Sequence, residues 1–328
     1  MLKIHRTVLA GVITLAVALT GTACSAGTTS AAGIKSEDGT TAVTVSLPPI
    51  VDTAPVYIAL EKGLFKKHGL DVKVAATPSM AASIPAVVSG ASQFGILGAV
   101  DVMQASAAGL PLKMIGNTTV TTDKPLESPE KVYVAKDSSI KAPTDLNGKT
   151  IAVSGLGGAG ELSLRAALDK SGADSDKIKF LEVPLDSMLD SLKRGQVDAI
   201  NTISPFTNAA EKSGARYLFS AGAEAVPNAL QFVLTTSAKF MEQNPKTVED
   251  FRAALDEATT YAAENPDAVR KILPTFSGTP KELAEVMQLP VFSTDFSVKR
   301  ARIWSDLMTD YGFVKGNIDI NSLVVPKG

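Results

Sequence analysis

Thr150-Ile151-Ala152-Val153, then Ser154-Gly155-Leu156-Gly157-Gly158-Ala159-Gly160, then Glu161-Leu162-Ser163-Leu164-Arg165-Ala166-Ala167-Leu168 is the stretch on which the reading of the fold turns. A short apolar run, a glycine loop and apolar residues at helical spacing make a strand, a tight turn and a helix. Such a turn points the unpaired N–H groups of the helix's first turn at the loop. There, donors and macrodipole together favour an anionic or carbonyl-like group. Gly155, Gly157 and Gly160 also satisfy G-x-G-x-x-G, and Glu182 lies about where a ribose-binding acid belongs, so a dinucleotide-dependent oxidoreductase is one reading. The plainer one is that small residues are needed wherever a helix starts tightly against a sheet.

Working outward, the chain on either side repeats one order. Upstream come strand 43–47, helix 55–62, strand 72–76, helix 81–88, strand 93–97, helix 101–108 and strand 112–116. Downstream come strand 150–153, the glycine loop and its helix, strand 178–183, a helix ending at Arg194-Gly195, and strand 197–200. Pro78-Ser79-Met80 is echoed by the run from Pro184 to Met188. Strands alternating with helices predict parallel sheets covered on both faces, and the repetition predicts two similar α/β lobes.

Ligands in open α/β sheets bind off the carboxyl ends of the strands. In the loops there, the ligand-facing candidates are Asp52, Thr53, Ser79, Met80, Gly98, Asp101, Asn117, Gly157, Gly158, Ala159, Ser204 and Phe206. The acids of these loops are Asp52, Asp101 and Glu161, and lysine and arginine are absent from them. Each acid has a competing role as a cap or a first-turn carboxylate. Tyr57, Phe206 and Phe232 are the aromatics nearest the expected cleft. Further on, Asn244-Pro245 and Asn265-Pro266 read as caps followed by first-position prolines, and Thr279-Pro280-Lys281-Glu282 as a capping box. In the last helix, 298–311, the stripe Ile303, Trp304, Leu307 and Met308 reads as core.

At 328 residues the chain is long enough for two ordinary lobes, and its apolar fraction of 45% is that of a globular protein. A formal charge of -2 offers no basic field to nucleic acid. Cys24 is the only cysteine and His5 and His68 the only histidines, which leaves no disulfide and no metal constellation. No cofactor is implied, and His68, in a polar turn, reads as a surface residue.

The first residues are basic at Lys3 and Arg6, then apolar from Val8 to Leu19, then small before Cys24, as in an export signal at 1–23. Leu19-Thr20-Gly21-Thr22-Ala23-Cys24 resembles a bacterial lipobox, departing from it at Gly21, where that pattern usually has leucine. The resemblance implies a lipid on Cys24 and a membrane anchor. Residues 24–41 read as a flexible tether, placing the protein at the outer face of the cytoplasmic membrane or in the periplasm.

Ala54-Pro55-Val56-Tyr57-Ile58-Ala59-Leu60-Glu61-Lys62-Gly63-Leu64-Phe65-Lys66-Lys67-His68-Gly69-Leu70-Asp71-Val72, the run from Asp145 to Val153, and Gly195-Gln196-Val197-Asp198-Ala199 carry a wider likeness. The chain resembles the substrate-binding proteins of bacterial ABC importers, in the group serving sulfonates, nitrate and thiamine-pyrimidine precursors. This implies a periplasmic-binding-protein type II clamshell, each lobe a mostly parallel sheet with helices on both faces. It also implies crossings near 117–125 and 228–237, with lobe one at 42–120 plus 237–328 and lobe two at 121–236. Asn228, at the second crossing, joins the ligand-facing candidates. The implied activity is solute capture by a monomer and delivery to ABC permease subunits, without covalent chemistry. Thiamine-pyrimidine synthases share the fold, but the resemblance there requires an active-site histidine and a cysteine-rich iron motif that this chain lacks.

Overall fold

The computed structural model describes residues 34–35 and 39–327; the export signal, Cys24 and most of the expected tether lie outside the described residues. β1 (Ile34–Lys35) pairs antiparallel with β2 (Thr41–Leu47), so pairing begins inside the stretch read as tether. β2 turns Val43, Val45 and Leu47 into the core and leads to α1 (Ala54–Glu61), whose Pro55 stands in the first turn, where no N–H is needed. There follow β3 (Leu70–Ala76), α2 (Met80–Ser89), β4 (Phe94–Gly98), α3 (Ala99–Ala107) and β5 (Leu112–Val120). The next stretch holds β6 (Glu130–Val134), β7 (Thr150–Val153), α4 (Ala159–Lys170), β8 (Lys179–Glu182), α5 (Leu185–Lys193), β9 (Ala199–Ile203), α6 (Phe206–Lys212), β10 (Arg216–Phe219) and α7 (Ala221–Ala225). β11 (Leu230–Ser237), α8 (Pro245–Glu264), β12 (Val291–Phe292) and α9 (Val298–Asp310) complete the elements used below.

The strands form two sheets, as the repeated order predicts. The larger runs β1-β2-β4-β11-β5-β12, with β3 on β2, and the smaller runs β10-β6-β9-β7-β8. In each, the alternating strand–helix units supply a parallel core, β3–β2–β4 and β8–β7–β9. The remaining pairs are antiparallel, so both sheets are mixed where mostly parallel ones were expected. The cause lies at the crossings. β6 receives the chain from the larger sheet and runs against β9, and β11 returns it and threads between β4 and β5.

The crossings also move the expected boundary. The chain leaves the larger sheet after Val120 and re-enters it at Leu230, so β11, placed in lobe two by a boundary at 236/237, belongs to the larger sheet. Val233 and Leu234 are fully buried there, as a strand covered on both faces requires.

The larger core is centred on Phe94, which stacks on Phe251 at 4.0 Å and meets Phe240 edge-on at 5.5 Å. The stripe of α9 is core, as read: Trp304 is buried and donates Nε1–H to Leu230 O at 2.6 Å. The expected caps work differently. Asn244 and Asn265 donate Nδ2–H back to Phe240 O and Tyr261 O, closing the preceding helices, while the prolines after them open the next ones. Thr279 to Glu282 forms no capping box, and that helix starts behind Pro280.

Candidate functional site

The carboxyl ends of β4 and β5 come together through the return strand. In the ladder Gly98 pairs with Phe232, Phe232 with Thr119 and Thr119 with Phe292, one row across the sheet. An acid stands at two places in it. Asp101, in the first turn of α3, folds back so that a Cβ on Gly98 would lie 2.2 Å from its Oδ2; only glycine leaves that room. Met80 closes the same corner, its Sδ accepting from Gly98 N–H at 3.2 Å. Two strands along, Thr119 donates its hydroxyl to Asp52 Oδ1 at 3.0 Å. Strand spacing puts Gly98 and Thr119 roughly 10 Å apart, with half-buried Phe232 between them.

Neither acid caps a helix through its side chain. Burial raises both carboxyls, Asp52 to about 6, partly offset by the Thr119 hydrogen bond, and Asp101 upward against the pull of its own N–H. Among the described residues neither is ion-paired. Asn117, two residues before Thr119, donates Nδ2–H to Ser293 O at 2.8 Å and keeps a buried Oδ1 without a partner.

The glycine loop faces this wall. Gln104, one turn beyond Asp101 on α3, donates Nε2–H to Gly157 O at 2.8 Å. Gly157 takes a φ of 75°, the left-handed conformation that glycine adopts without penalty. The loop was expected to offer its N–H groups to an anion, and two of them serve the chain's own acids instead. Gly157 N–H donates to Glu161 Oε2 at 2.8 Å and Leu156 N–H reaches Glu182 Oε2 at 3.4 Å. Glu161 is also bonded by Arg165 Nε–H at 2.8 Å, so it ties loop to helix. Beside the first turn of α4 lies a third unpaired carboxylate, Glu130, the first residue of β6. Asn201 Nδ2–H donates to its Oε1 at 2.7 Å, and burial pushes its carboxyl up to about 7 against the pull of that bond.

The other candidates are placed as follows. Thr53 is fully buried and bonds Pro48 O and Ile50 O, so it builds the loop before α1. Ser79 caps α2 through Ala82 N–H at 3.3 Å. Gly158 and Ala159 open α4. Ser204 is buried with an unpartnered hydroxyl, and Phe206 is a half-buried first residue of α6. Asn228 stands apart from the row. Its φ is 60°, its carbonyl accepts from Arg300, and it lines a cavity of about 460 Å³ with Pro227, Asp295, Lys299 and others that include no further candidate. Tyr57 stacks on Phe276 at 3.8 Å and His68 pairs with Glu257 at 2.7 Å, which occupies both.

Thr119, Gln104, Glu130 and Asn201 were missed. Asn117-Thr118-Thr119 and Asn201-Thr202, polar runs inside otherwise apolar strands, carried a signal; Glu130, in the mostly polar run Glu127 to Lys131, carried none.

The space at Gly158 yields a test. A Cβ there meets nothing within 4 Å and φ is -102°, so Gly158→Val is expected to fold with a melting temperature close to wild type. Its side chain then fills the open side of the loop, and solute affinity is expected to fall at least roughly tenfold. Calorimetric titration beside thermal melting checks this; equal loss of stability and affinity assigns the glycine to packing alone.

Known proteins share this architecture. The aliphatic sulphonate-binding protein SsuA of Escherichia coli, described as periplasmic, superposes with a TM-score of 0.73 at 20% identity, covering 87% of this chain and 92% of that one. In sequence, the nitrate/nitrite binding protein NrtA of Synechococcus elongatus is 26% identical over 301 residues, 82% of this chain and 63% of that protein. The formylaminopyrimidine-binding protein of Halalkalibacterium halodurans is 24% identical over 227 residues, 67% of this chain and 65% of that protein. The chain thus spans less than two thirds of the length of the latter two. Over residues 50–269, more than half of its length, it matches the family described as NMT1/THI5 like, and it belongs to that family.

Proposed function

We propose that this protein captures a small solute outside the cytoplasm and delivers it to the permease of an ABC importer. The observation that carries the reading is the row Gly98–Phe232–Thr119 with Asp101 and Asp52 at two of its places, faced by the glycine loop through Gln104. Buried carboxylates without ion partners are costly unless a ligand completes them. They favour a solute that is cationic or rich in hydrogen-bond donors, of the nitrogenous kind that the formylaminopyrimidine-binding relative's name describes, over a sulfonate or nitrate. Export, a lipid on Cys24 and a monomeric state belong to the same proposal. No helix among the described residues is long and apolar enough to cross a membrane.

The test is mass spectrometry of the solute retained by protein purified from its native source, followed by calorimetry and a check that the solute is returned chemically unchanged. A protein that retains nothing and binds no nitrogenous solute, or that turns its solute over, contradicts the proposal. Membrane fractionation of Cys24→Ser tests the anchor, which is refuted if wild type is already freely soluble outside the cell.

A further inference from the structure

Glu130 occupies the start of α4, where helix dipoles draw negative charge. A Cβ on Gly160 would lie 3.6 Å from Glu130 Oε1 and 3.8 Å from Asn201 Nδ2, so both side chains lie against the first turn. On the other side, a Cβ on Gly222 would lie 3.0 Å from Glu130 Oε2, and the glycine makes room for that oxygen. The ladder explains the meeting. Glu130 pairs with Ile203 and Val132 with Asn201, which puts Glu130 and Asn201 on one face of the sheet, one step apart.

Two further observations separate this carboxylate from an ordinary first-turn acid. Among the described hydrogen bonds it accepts none from the N–H groups of α4, and its bond from Asn201 leaves that side chain, 6% exposed, with an Oδ1 that has no partner. Ser204, three residues on, is 9% exposed with an unpartnered hydroxyl. Ile203 between them is 42% exposed, so this end of β9 opens to solvent. Buried polar groups that the chain itself leaves without a partner are free to bond a water or a solute.

We infer that Glu130 is a specificity-determining residue: it fills the position at the start of α4 that would otherwise hold an anionic head, so the site admits solutes presenting a positive or hydrogen-donating group there and rejects small anions. This rests on the solute-capture reading. Above about pH 7, where Glu130 is ionised, an anion beside it would meet a like charge in a partly dry site, while a donor would meet Glu130 and the unpartnered Asn201 Oδ1.

Calorimetric titration of the full chain at about pH 8, where Glu130 is ionised, with ethanesulfonate and with nitrate tests this, on wild type and Glu130→Gln, with melts confirming folding. Wild type is expected to bind either anion only very weakly, and Glu130→Gln to bind at least one of them roughly a hundredfold more tightly. Glu130→Met serves if glutamine does not fold, with the same expectation. Wild type that binds ethanesulfonate or nitrate as well as the variants overturns the inference. Wild type that retains its own solute while no folded variant gains an anion overturns the inference alone. A chain that holds no solute in any form and gains no anion overturns the inference and the solute-capture reading together.

Discussion

Raising the pH from about 5 to about 8 is expected to destabilise the solute-free protein by roughly 1 kcal/mol through Asp52 and roughly 2 to 3 kcal/mol through Glu130. Burial raises Asp52 from its ordinary 3.8 to about 6 and Glu130 from 4.5 to about 7. Between the ordinary and the raised value the native state holds a proton that the unfolded state has released, so stability falls as pH rises through that window. The loss is absent below the ordinary values and complete above the raised ones. Carboxylates held low by partners, such as Glu257 beside Lys67 and Asp295 beside Arg300, act oppositely but only at more acid pH, so they leave this range undisturbed. Denaturant titrations across the range should show the decline, and Asp52→Asn and Glu130→Gln should each flatten it. A wild-type profile that is level from pH 5 to 8, or a decline that both variants retain, shows that these carboxyls do not carry it.

Solute binding should respond in the opposite sense. Asp52→Asn and Asp101→Asn are each expected to weaken binding of the identified solute by at least roughly tenfold, because a charge-assisted contact removed from a buried site costs about 1.5 to 3 kcal/mol. Neither side chain caps a helix, and asparagine at position 52 still accepts the Thr119 hydroxyl, so no structural bond is given up. At neutral pH the Asp52→Asn protein is expected to be the more stable of the pair, since it no longer carries a buried charge. Loss of affinity with gain of stability is the mark of a residue kept for a ligand. For a cationic solute, affinity in wild type should also tighten as pH rises through about 6, where Asp52 ionises. Unchanged affinity in both variants, or tighter binding because the solute is an anion relieved of a neighbouring charge, would return the site to the sulfonate-like reading.

The local elements were legible because their causes are local. A short apolar run made β7, the glycines made the turn, and the helical spacing of Leu164 and Leu168 helped make α4, all within twenty residues. The repeated order made two sheets legible, and the position of Asp52 and Asp101 just beyond strand ends made them candidates. The mixed pairing was not legible. An apolar strand such as β11 suits any buried position, and only the closing of the larger sheet decided that it lies between β4 and β5.

The polar chemistry of the site divides in the same way. By itself the sequence determined that acids and no bases stand in the loops, that glycines precede α4, and that Phe232 lies near the crossing. Tertiary structure decided what each group meets. Asp52 finds Thr119 across 67 positions and Gln104 finds Gly157 across 53, while Glu130 draws its neighbours from residues 160, 201 and 222. It also decided that Glu161 and Glu182 take N–H groups the glycine loop was expected to offer outward, and that Thr53 bonds its own loop. The reason is physical: periodicity and turn chemistry act over a few residues, whereas burial and hydrogen-bond partnership, which raise the Asp52 and Glu130 carboxyls, depend on strands and helices that meet only when the sheets have formed.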